Sequence, residues 1–160
     1  MKFRLHVSFK VTGGHPQNAL HELQNLIGKP LVNWPKGTTP IRTGMHLNEE
    51  KIAKFLSEKL GLSGPIEMRQ FDHGQSNPTY YLKVGDEELV LRKKPDGKLL
   101  RGAHMVEREY QVMKALGAAG VPVPEMLILH EENDVCGTPF YIMKYLRGRI
   151  FKDGGLKVTG

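Results

Sequence analysis

The feature that most constrains this chain is a change of hydrophobic period at Ile66. Three short β-prone runs follow one another there: Ile66 to Phe71, Thr79 to Val84 and Glu88 to Lys93. Only Gly85-Asp86 and one neighbour separate the second run from the third, so the two must form a tight antiparallel hairpin. Asp72 to Asn77 links the first two, and Pro95-Asp96-Gly97 ends the third. Ala103 to Leu116 then returns to helical spacing and is followed by Gly117 and Gly120. Val123 to Leu129 and Pro139 to Leu146, joined through Glu132-Asn133-Asp134, read as two further strands. The order β-β-β-α-β-β predicts an α+β fold: a five-stranded antiparallel sheet carrying one packed helix.

Two more helices and a linker precede that sheet. His15 to Gly28 reads as a short helix, with Pro16 in its first turn, a stripe of Leu20, Leu23 and Ile27, and Gly28 at its end. Lys29 to Gly44 holds three prolines and two glycines without a period and reads as linker. Asn48 opens a second helix as its cap, with Glu49 and Glu50 in the positive first turn, and Gly61 closes it. Before all of these, Lys2 to Val11 alternates like a strand; it is free of acidic residues, as mitochondrial presequences are, but lacks their helical amphipathicity.

Composition narrows the function classes. An apolar share of 39% with 25% charged residues, over 160 residues, describes one globular domain or a small domain with a flank. No apolar run reaches the roughly eighteen residues that a membrane-spanning helix needs. The single cysteine, Cys136, excludes an internal disulfide and a Cys-rich zinc framework. The net charge of +6 favours anionic partners without choosing among them.

Two charged residues sit badly in an ordinary core pattern. Along the third strand, Leu89 and Leu91 face one side while Val90 and Arg92 face the other. On the helix that follows, Met105, Val112 and Leu116 share a stripe, and Glu109 falls within it. Arg92 and Glu109 either meet as a pair, because a buried charge is tolerated mainly when paired, or lie at the periphery, with Arg92 starting the solvated run Arg92-Lys93-Lys94. A strand cation paired to a helix glutamate is also how kinase-like folds aim a cation at ATP phosphates.

The run His73-Gly74-Gln75-Ser76-Asn77-Pro78-Thr79-Tyr80-Tyr81-Leu82 resembles the first hairpin of aminoglycoside-phosphotransferase-like domains. Leu89 to Leu100, Ala103 to Tyr110 and Gly137 to Met143 resemble, more narrowly, the kinase-like domain of acyl-CoA dehydrogenase family members ten and eleven. The resemblance covers about residues 46 to 153, and Val-Leu-Arg-Lys-Lys-Pro and Arg-Glu-Tyr are its most specific parts. It divides the chain into an N-terminal segment, 1–45, which resembles at 15–28 the last helix of a haloacid-dehalogenase-like domain; a kinase-like N-lobe, 46–153; and a flexible tail, 154–160. It implies that Arg92 touches nucleotide phosphates and that Glu109 is its carboxylate partner. Val90 becomes a lid over adenine. Lys144 and Leu146, just beyond Met143, become the hinge through their backbone groups, and Gly74, Gln75, Ser76 and Asn77 lie under the phosphates.

The resemblance also implies what chemistry requires: a second lobe with a His-Gly-Asp loop, and an Asn and a later Asp to hold magnesium. His73-Gly74 is followed by Gln75, and the one Asp after the hinge, Asp153, has no Asn nearby. The chain is therefore expected to be a catalytically inactive N-lobe. It would bind ATP weakly, without magnesium ligands or a flavin site, while the resemblance implies that full-length relatives phosphorylate a hydroxyacyl-CoA in fatty-acid catabolism, in mitochondria or peroxisomes. Outside that resemblance the compartment reading is cytoplasmic. Two alternatives stand beside it. One is an interaction module docking a full-length relative or another protein through its exposed lobe face, around Val90, Met143 and Leu146. The other, less favoured, is a nucleic-acid face built from Arg92, Lys93, Lys94, Lys98 and Arg101 beside Tyr80 and Tyr81.

Overall fold

A computed structural model describes residues 34–72, 76–97 and 105–148. The strand-like start, the helix read at 15–28, Gly74, Gln75, Lys98, Arg101, Asp153 and the tail lie outside these residues. The described elements are β1 (Thr38–Thr39), α1 (Glu49–Leu60), β2 (Ile66–Phe71), β3 (Thr79–Val84), β4 (Glu87–Lys93), α2 (Val106–Ala118), β5 (Met126–His130) and β6 (Phe140–Lys144). The strands form one antiparallel sheet in the order β1-β2-β3-β4-β6-β5.

The fold is α+β, as the order of elements predicts, but the sheet has a sixth strand. Thr38 and Thr39, inside the segment read as linker, pair with Phe71 and Gln70 of β2. Two residues carry no period to read, and polar groups hold them. Arg69 donates to Thr38 Oγ1 and to its carbonyl oxygen, each at 3.1 Å, and Gln70 Oε1 accepts the Arg42 amide at 3.0 Å. At the other edge β5 begins at Met126 rather than Val123. Pro122 and Pro124 lack the N–H that a ladder needs.

Helix α1 follows its sequence signals. Asn48 Oδ1 accepts the Lys51 amide at 2.9 Å, and Gly61, at φ 67°, adopts the left-handed conformation that ends it. Its buried residues Ile52, Phe55 and Leu56 join Tyr80, Leu82, Leu89, Leu91, Phe140 and Ile142 in the main core. On the opposite face, Tyr141 packs with Val106 and Tyr110 of α2, with Met126, Leu129 and Met143 around them. Strand alternation thus sends Leu89 and Leu91 to α1, and Val90 and Arg92 to α2.

Helix α2 lies differently from its apolar stripe. Its buried residues are Val106 and Tyr110, whereas Met105, Val112 and Leu116 are exposed. The packed face is one residue, about 100°, away from the stripe. Glu109 consequently stands at the margin between the packed face and the open one, where a carboxylate can turn toward the sheet.

Candidate functional site

Register places the site. Arg92 stands opposite Thr79 of β3 on one side and Tyr141 of β6 on the other, all on the face that α2 covers. Arg92 donates from Nε to Glu109 Oε2 at 2.8 Å, from Nη2 to Oε1 at 3.4 Å, and from Nη1 to Thr79 Oγ1 at 3.0 Å. Asn77 Nδ2 donates to Glu109 Oε1 at 3.1 Å, and the Tyr141 hydroxyl donates to Oε2 at 3.2 Å. Arg92 and Glu109 therefore meet as a pair.

Glu109 accepts four hydrogen bonds, about the full acceptor capacity of an ionised carboxylate. It is suited to orienting Arg92 and unsuited to serving as a free base. Burial, and then the negative charge of Glu109, push the Tyr141 hydroxyl's pKa above the ordinary tyrosine value, so it remains a donor. Arg92 keeps 25% of its side-chain exposure and lines a cleft of about 540 Å³ between α2 and the sheet, together with Arg108, Met113 and Met143. A cation held on one side by a saturated carboxylate and open on the other has the charge and the free N–H groups to pair with an oxyanion.

A second cluster lies where β6 leaves the sheet. The Tyr81 hydroxyl donates to Glu88 Oε1 at 2.5 Å, and Arg147 grips both Glu88 oxygens, with its closest contact at 2.8 Å. Burial pushes the Glu88 carboxyl up, but hydrogen bonds from Tyr81 and Arg147 outweigh it and hold the pKa below the usual value. The Tyr145 ring stands edge-on to Tyr81 at 5.2 Å and tilted against Phe71 at 6.4 Å. Lys144 pairs with Glu87; its amide donates to the Glu125 carbonyl, and the Tyr145 amide donates to that of Glu88.

The other residues singled out in the sequence are placed as follows. Asn77, read as lying under the phosphates, is buried and directed at Glu109. Ser76 is exposed. Val90 is 5% exposed, which corrects the expectation that it stays open to water; its cross-strand neighbours Tyr81 and Met143 are large enough to cover it. Met143 is half-buried and Leu146 exposed. The nucleic-acid reading loses its parts: Tyr80, Tyr81 and Lys93 are buried, and Lys94 pairs with Glu107. Sequence reasoning missed Thr79 and Tyr141 as partners of the Arg92–Glu109 pair, and Phe71 and Tyr145 beside Tyr81. Their signal was register: Thr79 and Tyr141 flank Arg92 once the strands are aligned.

Among the described residues, the His, Cys, Asp and Glu side chains close enough to share a cation are His130, Glu132 and Asp134. His130 packs on Phe55 and Phe140, on the α1 face, and Lys51 binds the Asp134 carbonyl at 2.9 Å. That group faces away from Arg92 and does not fit a metal shared with a nucleotide there.

A small antiparallel sheet whose strand arginine is clasped by a helix glutamate is an arrangement found in kinase-like folds. The chain belongs to the phosphotransferase enzyme family, whose model matches residues 67–158. Among its relatives, it is 50% identical over 143 residues to acyl-CoA dehydrogenase family member 10 of Mus musculus, covering 88% of this chain and 13% of that protein. It is 44% identical over 129 residues to family member 11 of Gallus gallus, covering 78% of this chain and 17% of the relative. A solved structure from Ralstonia eutropha, assigned as an aminoglycoside phosphotransferase, superposes with a TM-score of 0.58 at 36% identity, over 71% of this chain and 32% of the other. The chain thus spans less than a fifth of the two relatives' length.

Proposed function

We propose that this lobe binds an adenine nucleotide, and that Arg92, oriented by Glu109, contacts its phosphates. The carrying observation is the arrangement of Arg92: three donors fixed on Glu109 and Thr79, with the guanidinium still lining an open cleft. The family match supports an ATP-type substrate. The base would lie beside Met143 and the backbone of Lys144 to Leu146, and would reach Val90 only after the side chains covering it move. Arg92 would supply charge and direction, while the chain's own residues would not activate an acceptor hydroxyl. Magnesium, when bound with the nucleotide, would screen the phosphate charge; the described acidic residues around Arg92 offer it no ligand set. By this reading the chain alone transfers no phosphoryl group. In the setting of its longer relatives the acceptor would be a hydroxyacyl-CoA of fatty-acid catabolism, in mitochondria or peroxisomes.

Thermal unfolding with ATP tests the reading. A ligand that binds the folded state adds RT ln(1 + [L]/Kd), about 2.7 kcal/mol at a hundredfold excess over Kd. ATP is expected to raise the melting temperature and Arg92→Ala to abolish the rise. An equal response of both proteins, or none in the wild type, defeats it. Magnesium-dependent phosphorylation of a hydroxyacyl-CoA by the purified chain would overturn the inactive part.

A further inference from the structure

We infer that Asn77 is a positioning residue for Arg92, its side chain acting through Glu109 while its main-chain carbonyl orients Thr79. The hydrogen bonds close into a ring. Asn77 Nδ2 donates to Glu109 Oε1 at 3.1 Å; Arg92 donates to Glu109 Oε2 at 2.8 Å and to Thr79 Oγ1 at 3.0 Å; Thr79 Oγ1 donates to the Asn77 carbonyl oxygen at 3.0 Å. The ring closes through both parts of Asn77: its side-chain amide holds Glu109, and its main-chain carbonyl holds the Thr79 hydroxyl. Asn77 is 1% exposed, so its amide is shielded from solvent, and an amide there must have partners.

Residue chemistry makes the position selective. The ring needs an N–H donor facing the carboxylate of Glu109. Aspartate has the same shape and presents a second carboxylate instead; alanine presents nothing. Thr79 is oriented by the main chain of the same residue: its hydroxyl donates to the Asn77 backbone carbonyl and so accepts from Arg92, a link that any residue at position 77 would keep. Tyr141 supplies the other donor to Glu109 from β6. The guanidinium is thus held in orientation by groups from the β3 approach, from β3, from α2 and from β6, and loss of one donor frees Glu109 to rotate away from Arg92.

The inference rests on the nucleotide reading only for its effect on binding, and the test separates the two. Asn77→Ala, Asn77→Asp and Tyr141→Phe are compared with the wild type by the Arg92 Nε–H resonance and by affinity for ATP and for adenosine. Loss of the slowly exchanging Arg92 Nε–H signal in all three variants is expected, with ATP affinity falling about tenfold and adenosine affinity unchanged. Asn77→Asp should be the more severe of the two Asn77 variants, because it adds like charge. A purely structural role would lower both affinities together. If the wild type binds no ATP but the variants lose the protected Nε–H, the nucleotide reading fails and the positioning role stands. If Nε–H protection persists in the variants, or ATP affinity holds within twofold while the wild type binds, the inference is overturned. Should Asn77→Ala and Asn77→Asp not fold, Asn77→Ser, which keeps a small polar side chain at the position but falls short of Glu109, decides on the same readouts.

Discussion

The two faces of the sheet are built from the same strands and obey different rules. Toward α1, alternate residues of β3, β4 and β6 are apolar and almost wholly buried, and Phe55 stands edge-on to Phe140 at 5.3 Å. Toward α2, the positions between them hold Thr79, Arg92 and Tyr141, with Glu109 above them and an open cleft beside them. Arg92 and Lys93 show the contrast at adjacent positions. Lys93 is buried at 3% exposure and answers to one exposed partner, Asp96, at 2.9 Å. Arg92 is held by two side chains, one of them held in turn by two more. One face stores stability, and the other holds a cation ready.

That contrast predicts where mutation acts. Leu91→Ala, on the α1 face, is expected to cost about 2–5 kcal/mol, read as a lowered denaturant midpoint, because a fully buried leucine leaves a cavity. Any protein that remains folded should bind ATP as the wild type does. Glu109→Gln should give the opposite profile: about 1–2 kcal/mol of stability, but loss of most ATP affinity, measured by calorimetry. Equal losses of stability from both would erase the division between the faces.

Much of the sheet was legible in the sequence because its signals are local. Gly85 sits at φ 59° in the turn between β3 and β4, where glycine avoids strain, and the alternation Leu89-Val90-Leu91-Arg92 assigned residues to faces. The pair itself was visible as two charges out of pattern. Three things were hidden. Thr38–Thr39 is too short for a period and depends on Arg69 and Gln70, which are distant in sequence. The packed face of α2 is set by Val106 and Tyr110 against Tyr141, so the more conspicuous stripe misleads. Thr79 and Tyr141 are ordinary strand residues until register sets them beside Arg92.

A smaller effect separates the two ends of the α2 face. Glu88, held by Tyr81 and Arg147, has its carboxyl below the ordinary value of 4.5 in the folded chain. A lowered folded pKa means that its contribution is present above the unfolded value and is lost as pH falls through the folded one. Melting temperature followed downward from about pH 6 should therefore drop below about pH 4.5. Glu88→Gln should flatten part of that drop while leaving ATP binding through Arg92 in place. The pair is partly solvated, so its share is under about 1 kcal/mol. An unchanged acid limb in Glu88→Gln would show that other carboxylates govern it.

The smallest effect is expected on α2 itself, where the two candidate faces lie one residue apart. Val112 is 51% exposed and Leu116 37%. A large apolar side chain already in water has little burial to lose, so Val112→Ser and Leu116→Ser should each change stability by no more than about 0.5 kcal/mol. Val106→Ser, at 0% exposure one step around the helix, removes a methyl group from the Tyr110–Tyr141 cluster and buries a hydroxyl, and should cost several times as much. Sedimentation adds a second reading. Exposed apolar side chains favour association, so the serine variants should be more monomeric at high concentration than the wild type. If Val112→Ser and Val106→Ser cost the same, the helix is rotated from the orientation described and the stripe faces the core after all. If only Val106→Ser destabilises the chain, the offset between stripe and packed face stands, and with it the reason Glu109 can reach Arg92.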